Sequence, residues 1–514
     1  MRPSLTFHNQ DKDHIAAVAL MAAVFSYTLA RALLIPIFHD EAYTYFTYGQ
    51  SSLPVILGEL GNNHILNTLL IKCSVWLFGL SELSLRLPAL GGHLFFLMGA
   101  YRALNFFLEK KAFIAGIVLL TFNLFVLELF SAGRGYALGL GFFMQAMVHF
   151  LRGLESRQPR ELRAMFSFLA LAVLSHLSFL HVYVPALIIC GMALLCHHGW
   201  FQPRRNRSPG IILWRDSRFP LILSGLLFLA LVRPVWIQLK TGGFYHGGET
   251  GFLHDTIRSL GMASLYNRVI LPENYWILVY MALTGCVVLP GIFLMSRWKR
   301  SSALTGGERM LAGSFSLLLG TMGLIVVFHS LLGIKYVMGR MAVFLVPLFW
   351  LTMALFWACL SNVAGRGSRL WLNWAAGIVV VTGLVFFATG MNFKNYTIAP
   401  EDDLSRQIIS VLQTARQKGT LGAKDITLGT HYLFVPSLHF YCRKNHLPWL
   451  EVVDITNTGS VSCDVYYIFE RAARGVSKYN VARDFEKIDK TPLRIMARYP
   501  SHGTVLALSS PAGF

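Results

Sequence analysis

Charge is what this sequence has least of. Only 14% of its 514 residues are Asp, Glu, Lys or Arg, while 54% are hydrophobic and the mean hydropathy is +0.52. A water-soluble globular chain of this length does not carry so little charge. Carboxylates are the scarcer sign, 26 against 45 Lys and Arg, which leaves a formal charge of +19. Cysteine is sparse too. Of seven, Cys73, Cys190, Cys196, Cys286 and Cys359 lie in apolar runs, and no CxxC or Cys/His spacing suits zinc, so no metal site is read here. Cys442 and Cys463 lie in polar sequence, where an oxidising compartment would allow a disulfide. Met1 to His14 is polar and leads into an apolar run without a small-residue cleavage signature, so that run reads as a retained span rather than a signal peptide.

What is present is apolar sequence in bilayer-crossing lengths. Eleven such runs occur, at about 15–37, 86–107, 112–130, 136–153, 162–178, 180–197, 218–238, 275–296, 309–331, 339–360 and 370–391. A twelfth, His64 to Gly79, has 16 residues and carries Lys72 in its middle. It places His64, Thr68 and Lys72 on one helical face beside Asn67, which suits an amphipathic helix lying in the interface. Loop charges test that choice. With eleven spans, segments 1–14, 108–111, 152–163, 197–218, 297–309 and 361–370 hold 19 Lys and Arg. The opposite side holds six: Lys72, Arg134, Lys240, Arg258, Arg268 and Lys335. The sequence therefore predicts a cytoplasmic N-terminus and an external C-terminus. The excess positive charge is then topological and needs no nucleic-acid partner.

After Met391 the composition changes. Residues 392–514 hold 15 Lys and Arg and 11 Asp and Glu, and are expected to form an external domain beyond a membrane domain at 1–391. LSRQIISVLQTARQKG reads as an amphipathic helix, and DITLGT, DVYYIFE, LRIMARYP and GTVLALSS read as short strands. The expected fold class is an α-helical polytopic membrane protein of about eleven transmembrane helices with a small C-terminal α/β domain. That domain has no Gly-rich phosphate loop and no nucleophile motif, so recognition or packing is its expected role.

The first external loop, 39–85, opens on adjacent carboxylates, Asp40 and Glu41, where the first span leaves the bilayer. An ionisable pair at that depth marks a functional site unless it is a solvated helix end. The same side carries His64, Lys72, Arg134, His176, His181, Lys240, His246, Lys335, Tyr336 and Arg340. This set suits an anionic phosphate and a hydroxylated ligand. Between the seventh and eighth spans a long aromatic loop carries Gly242, Gly243, Gly247, Gly248 and Gly251, the composition of a mobile lid.

In their order and spacing, HDEAYTY, NNHILNTLL, FGLSELSLRLPAL, SAGRGYAL and KYVMGRMAVFLVPL resemble the C-type (GT-C) membrane glycosyltransferases, over residues 15 to about 390. The resemblance is to the group containing protein O-mannosyltransferases and bacterial aminoarabinose transferases. It implies inverting transfer of a sugar from a polyprenyl-phosphate-linked donor to an acceptor hydroxyl on the external, periplasmic face of a bacterial inner membrane. The acceptor is a glycolipid, a polysaccharide or a protein. It also implies a carboxylate base in the first external loop, and Asp40 is the matching position.

The chemistry assigns roles to the remaining residues. Asp40 would take the acceptor proton, with Glu41 beside it as a second catalytic carboxylate or as the group that orients it. A leaving lipid phosphate needs fixed cations, which Arg340 with Tyr336 and Lys335, and then Arg134, would supply. Asn63, His64, Lys72 and His246 are assigned to the substrate cavity. Related oligosaccharyltransferases carry an acidic, metal-binding motif in the loop where this chain reads SAGRGYA, so metal-independent transfer without a cofactor is expected. The competing reading is a transporter or flippase of lipid-linked sugars. Arg340 as a snorkelling residue, and His176 and His181 as interfacial histidines, are the alternatives residue by residue.

Overall fold

The computed structural model describes residues 7–59, 62–108, 110–156, 158–195, 209–242, 246–266, 272–300, 304–422, 424–456, 462–469 and 493–509. Cys196, Gly243, Arg268 and the basic sequence at 203–207 lie outside them. Two compact units emerge. One is Met1–Ala30, Ser52–Leu70 and Arg86–Met391; the other is Arg31–Ser51, Ile71–Leu85 and Asn392–Phe514.

Among the described residues, each of the eleven apolar runs is mostly helical. In chain order the helices are α1 (Phe7–Leu34), α2 (His39–Thr44), α3 (Leu53–Gly58), α4 (Ile65–Phe78), α5 (Glu82–Phe107), α6 (Lys110–Thr121), α7 (Leu124–Phe130), α8 (Gly135–Ser156) and α9 (Pro159–Ser175). They continue as α10 (Leu180–Leu195), α11 (Pro209–Lys240), α12 (Ser259–Ser264), α13 (Glu273–Arg300), α14 (Gly306–Leu332), α15 (Leu345–Val363) and α16 (Arg366–Gly390). Among the described residues, eight helices are long and apolar enough to cross a membrane, nine if α6 and α7 count as one broken span. The stretch 112–130 is not one straight helix: α6 and α7 meet at 61°. Asn123 is the cause, because its side chain accepts the Val126 N–H at 3.2 Å and restarts the helix with its own cap. Helix α4 has 14 residues, too short to span, and leaves Trp76, Leu77 and Phe78 exposed.

Within the first unit, small residues let helices approach closely. A Cβ built on Gly141 of α8 would stand 2.3 Å from the Gly92 carbonyl of α5, and one on Gly92 would stand 2.6 Å from the Ala137 backbone. That contact of backbone on backbone is how membrane helices gain dispersion energy where lipid supplies no hydrophobic drive. Polar links fix it: Gln145 Nε2 donates to the Phe95 carbonyl (2.6 Å), and Ser314 and Thr352 hydroxyls join α14 to α15 (2.7 Å).

The second unit is built on a five-stranded sheet: β1 (Ile426–Thr430), β2 (Leu450–Asp454), β3 (Val465–Phe469), β4 (Leu493–Tyr499) and β5 (Thr504–Ser509), in the order β2-β1-β3-β5-β4. Strand β1 runs parallel to β2 and β3, while β5 is antiparallel to β3 and β4. Helices α17 (Ser405–Gln417) and α18 (Val435–Lys444) complete it. The expected helix and four strands are all present. Strand β2 and helix α18 were not foreseen, since LEVVD mixes charge with its apolar residues and VPSLHFYCRK shows no clean period. Cys442 and Cys463 are free thiols in separate apolar clusters, so no bond joins them.

Segments from the membrane-proximal loop belong to this unit, and one tyrosine holds them. The Ile37 N–H donates to the Tyr441 hydroxyl (3.0 Å), which donates to Glu82 Oε1 (3.1 Å). Glu82 is buried and also takes Arg406 Nη2 at 2.8 Å and Lys444 Nζ. Tyr441→Phe removes an acceptor from a buried N–H and a donor from a buried carboxylate, so it should destabilise this unit by about 1–3 kcal/mol. A thermal melt of the detergent-purified protein checks this; an unchanged midpoint would mean that solvent replaces both bonds.

Candidate functional site

In the first unit, four of the residues that sequence pointed to come together around an imidazole. His64 sits in the short connection before α4, fixed from both sides. Asn63 Nδ2 donates to the Ile56 and Glu59 carbonyls (both 2.7 Å), while its Oδ1 accepts Thr68 Oγ1 (2.8 Å). Asn67 Nδ2 donates to the Gly133 carbonyl (3.2 Å), tying α4 to the SAGRGYA loop. From that loop Arg134, buried, donates through Nη1 to the Asn62 carbonyl (3.2 Å) and through Nη2 to Asn62 Oδ1 (2.8 Å).

The His64 ring stacks on His176 with centroids 4.7 Å apart, and Tyr136 closes a triangle at 5.4 Å from His64 and 4.2 Å from His176. The Arg340 guanidinium lies over Tyr136, 5.9 Å from its centroid. Both imidazoles are buried outside the spans, in connections between helices. Burial, followed by Arg134, His176 and Arg340, holds His64 well below the ordinary imidazole range. Burial, followed by Arg134, Arg340 and His181, takes His176 down to about 3. The result is a cluster of two guanidiniums and two neutral imidazoles, rich in donors and positive in field. An oxyanion is the ligand such a cluster suits.

Lys335 and Tyr336 are placed elsewhere. Residues 333–338 are not helical, Arg340 sits in a 3-10 turn at Gly339–Ala342, α15 starts only at Leu345, and Tyr336 pairs with Gly248 in an isolated bridge. Lys335 Nζ is 2.9 Å from Glu249, and Tyr336 stacks on His329 at 4.0 Å. The glycine-rich segment they meet is tied down in its described part, against the expectation of a mobile lid. Asp255 accepts Thr250 N–H (2.7 Å), Gly251 N–H (3.0 Å) and Thr250 Oγ1 (2.5 Å). Burial works to raise the Asp255 carboxyl, but those bonds bring it down to about 2. Gly248 leaves room for that carboxylate, since a Cβ there would meet its carbon at 2.0 Å. His246 is exposed at the start of this segment, and the Lys240 ammonium lies over the Trp236 ring.

Asp40 and Glu41 belong to the second unit, in the first turn of α2. Glu41 is buried and its Oε2 accepts the Phe38 N–H (3.3 Å), so it caps its own helix. The His39 N–H donates to Asp402 Oδ2 (2.8 Å), and Asp402 Oδ1 accepts the Ser437 hydroxyl (2.8 Å). His39 Nδ1 meets the Leu433 carbonyl at 2.9 Å and its ring stacks on Tyr43. Asp40 is half-buried between these fixed neighbours. Lys72 is in the same unit and donates to the Ser51 carbonyl (2.6 Å).

Asn62, Gly135 and Tyr136 were missed as site residues. The signal was there in the doubled Asn before His64 and in the second glycine of SAGRGYA. A Cβ on Gly135 would stand 1.9 Å from the Ser175 carbonyl and 2.8 Å from His64 Cβ. Gly135→Ala must therefore push apart the strands of chain carrying His64 and His176. The expected outcome is folded protein with at least about tenfold weaker binding of a phosphate oxyanion, a loss of roughly 1.4 kcal/mol. Wild-type affinity in a direct binding assay would show that the imidazoles are not part of the site.

No family model matches the sequence, and no curated protein does. Among solved structures, ArnT from Cupriavidus metallidurans in the apo state aligns over 97% of this chain and 98% of that one, with a TM-score of 0.52 at 12% identity. The same protein bound to undecaprenyl phosphate aligns with a TM-score of 0.48 at 13% identity. Identity at that level speaks for fold. This chain is an α-helical polytopic membrane protein of the ArnT-like GT-C fold with a small C-terminal sheet domain, as its motifs imply.

Proposed function

We propose that this protein is an inverting glycosyltransferase that moves a sugar from a polyprenyl-phosphate donor to an acceptor hydroxyl at the external face of the membrane. The observation that carries this reading is the pocket of Arg134, Arg340, His64 and His176. As the glycosidic bond breaks, its electron pair stays on the phosphate oxygen, and fixed donors in a site shielded from water stabilise that growing charge. A cavity of about 800 Å³ among α6, α12, α13, α14, α15 and α16, lined by Val118, Leu260, Trp276, Leu318, Phe349 and Phe386, offers the apolar surface a polyprenyl chain requires.

The base in this reading is Asp40. The acceptor oxygen attacks the anomeric carbon opposite the phosphate, and its proton passes to the carboxylate. Glu41 supports the assignment by its prior commitment to the Phe38 N–H. Successive residues on a helix point about 100° apart, so the two carboxylates do not share a proton. Loop charges support an N-terminus in the cytoplasm and the sheet domain outside, which suits a bacterial inner-membrane enzyme acting on a glycolipid, polysaccharide or protein of the cell envelope. Lys335 and Tyr336, beside Glu249 and His329, remain further candidates for the donor phosphate in this reading.

Two substitutions test the assignment. Arg340→Ala should weaken donor binding by about 1.5–3 kcal/mol, the worth of a hydrogen bond to a charged group, without loss of folded protein. Unchanged affinity would leave Arg340 as a residue at the span boundary only. Asp40→Asn should bind donor nearly normally and lose transfer by about 10²–10⁴-fold, while Glu41→Gln costs less. Were both carboxylate variants to transfer sugar at the wild-type rate, the enzyme reading would give way to transport of lipid-linked sugars.

A further inference from the structure

One side chain in the pocket has unused capacity. His64 is 7% exposed, and its Nε2 has no hydrogen-bond partner among the described residues. A buried imidazole nitrogen left unpaired costs desolvation free energy that something must recover. His176 differs. Its Nδ1 accepts the Ser178 N–H (3.2 Å) and lies 2.7 Å from the Ser178 hydroxyl. That N–H fixes Nδ1 as an acceptor and leaves Nε2 carrying the hydrogen, so His176 is held neutral.

We propose that His64 takes up a proton when a phosphate occupies the Arg134–Arg340 pocket, so that binding of the lipid phosphate is coupled to pH, with His176 serving as a fixed neutral donor. The inference rests on the phosphate-pocket reading above. The groups that act on His64 come from every element packed around it. These are Arg134 and Tyr136 from the SAGRGYA loop and α8, His176 and then His181 beyond α9, and Arg340 before α15. In the empty pocket two guanidinium charges oppose a third, and burial opposes it further. A phosphate monoester dianion cancels both guanidinium charges and supplies an acceptor for an Nε2–H. The protonated imidazole is then favoured.

The two ligands of the proposed reaction differ in this respect. The sugar-phosphate donor is a diester with one negative charge, and the phosphate left after transfer is a monoester with nearly two at neutral pH. Proton uptake by His64 is therefore larger for the monoester. Drawing in that proton stabilises the charge that develops as the bond breaks, and a rise in external pH loosens the spent lipid phosphate. The sign follows from linkage: the imidazole is more basic in the complex than in the empty pocket, so the extra affinity is present at low pH and lost as pH rises through its value in the complex.

Calorimetric titration of the full-length protein in detergent with undecaprenyl phosphate, at pH 7.5 in buffers of low and high ionisation enthalpy, reads the proton directly. At that pH the free ligand is almost wholly dianionic, and a cationic pocket would strip rather than add a ligand proton, so any uptake lands on the protein. Wild type should take up roughly half a proton or more, and its affinity should fall between pH 7.5 and 9 with a slope approaching about tenfold per unit. His64→Gln should bind with no uptake and a flat profile. His176→Gln should bind more weakly and still take up the proton. Binding of wild type without buffer dependence, or uptake that survives in His64→Gln, overturns the role of His64 and leaves the pocket standing. Absence of any binding by wild type overturns the pocket itself and the inference with it. If His64→Gln does not fold, the wild-type proton count and pH profile decide alone.

Discussion

A guanidinium withdrawn from water sets the terms for this structure. Arg134 is 2% exposed, and a buried cation is tolerated only where its donors are fully engaged. The neighbouring chain supplies Asn62, which offers both its carbonyl and its side-chain oxygen. Both contacts hold the guanidinium at the head of the SAGRGYA loop against the connection that carries His64. Arg31 in the second unit is satisfied in a comparable way, by the carbonyls of Asn392 and Asn395 and by the face of Tyr396. Backbone oxygens thus help to position both charges.

Close packing then decides how rigid the arrangement is. Gly135 lets α8 begin directly against the Ser175 carbonyl and His64, and Gly92 and Gly141 let α5 and α8 touch backbone to backbone. Each removes a methyl group's width at a point where a side chain would separate two functional elements. The geometry of the cluster is thus set by glycines whose neighbours are protein backbone and side chains. The aromatic triangle of His64, His176 and Tyr136 is a consequence of that approach, and Arg340 is placed over its edge.

Much of this was legible in the sequence, for a physical reason. Helices in lipid must be apolar and of set length, so the helical stretches announced themselves, eight or nine of the eleven reaching spanning length among the described residues, and charged residues among them stood out because lipid tolerates few. Arg134, Arg340 and His64 were found by that scarcity. What could not be read was partnership. Lys335 and Tyr336 precede Arg340 by four or five residues, yet they lie in non-helical chain whose Tyr336 pairs with Gly248, while Arg340 sits in the 3-10 turn Gly339–Ala342, so they are not one turn along a common α-helix. The break at Asn123 and the pinning of Gly247 to Gly251 by Asp255 likewise depend on a hydrogen bond from a side chain to a specific backbone N–H, which hydropathy does not see.

The two adjacent carboxylates show how position in sequence and position in chemistry part company. Asp40 and Glu41 are indistinguishable by composition, and only the local fold separates them. A six-residue helix cannot hold itself by propensity. Its start is therefore fixed by Glu41 on the Phe38 N–H and by Asp402 on the His39 N–H, with Ser437 holding Asp402 in turn. Three of the elements that do this, the turn before α17, the loop after β1 and the start of α18, come from the C-terminal sheet domain. That domain lacks catalytic motifs because its contribution is of another kind. It supplies the scaffold on which Glu41 caps α2 and Asp40 is held half-buried beside it.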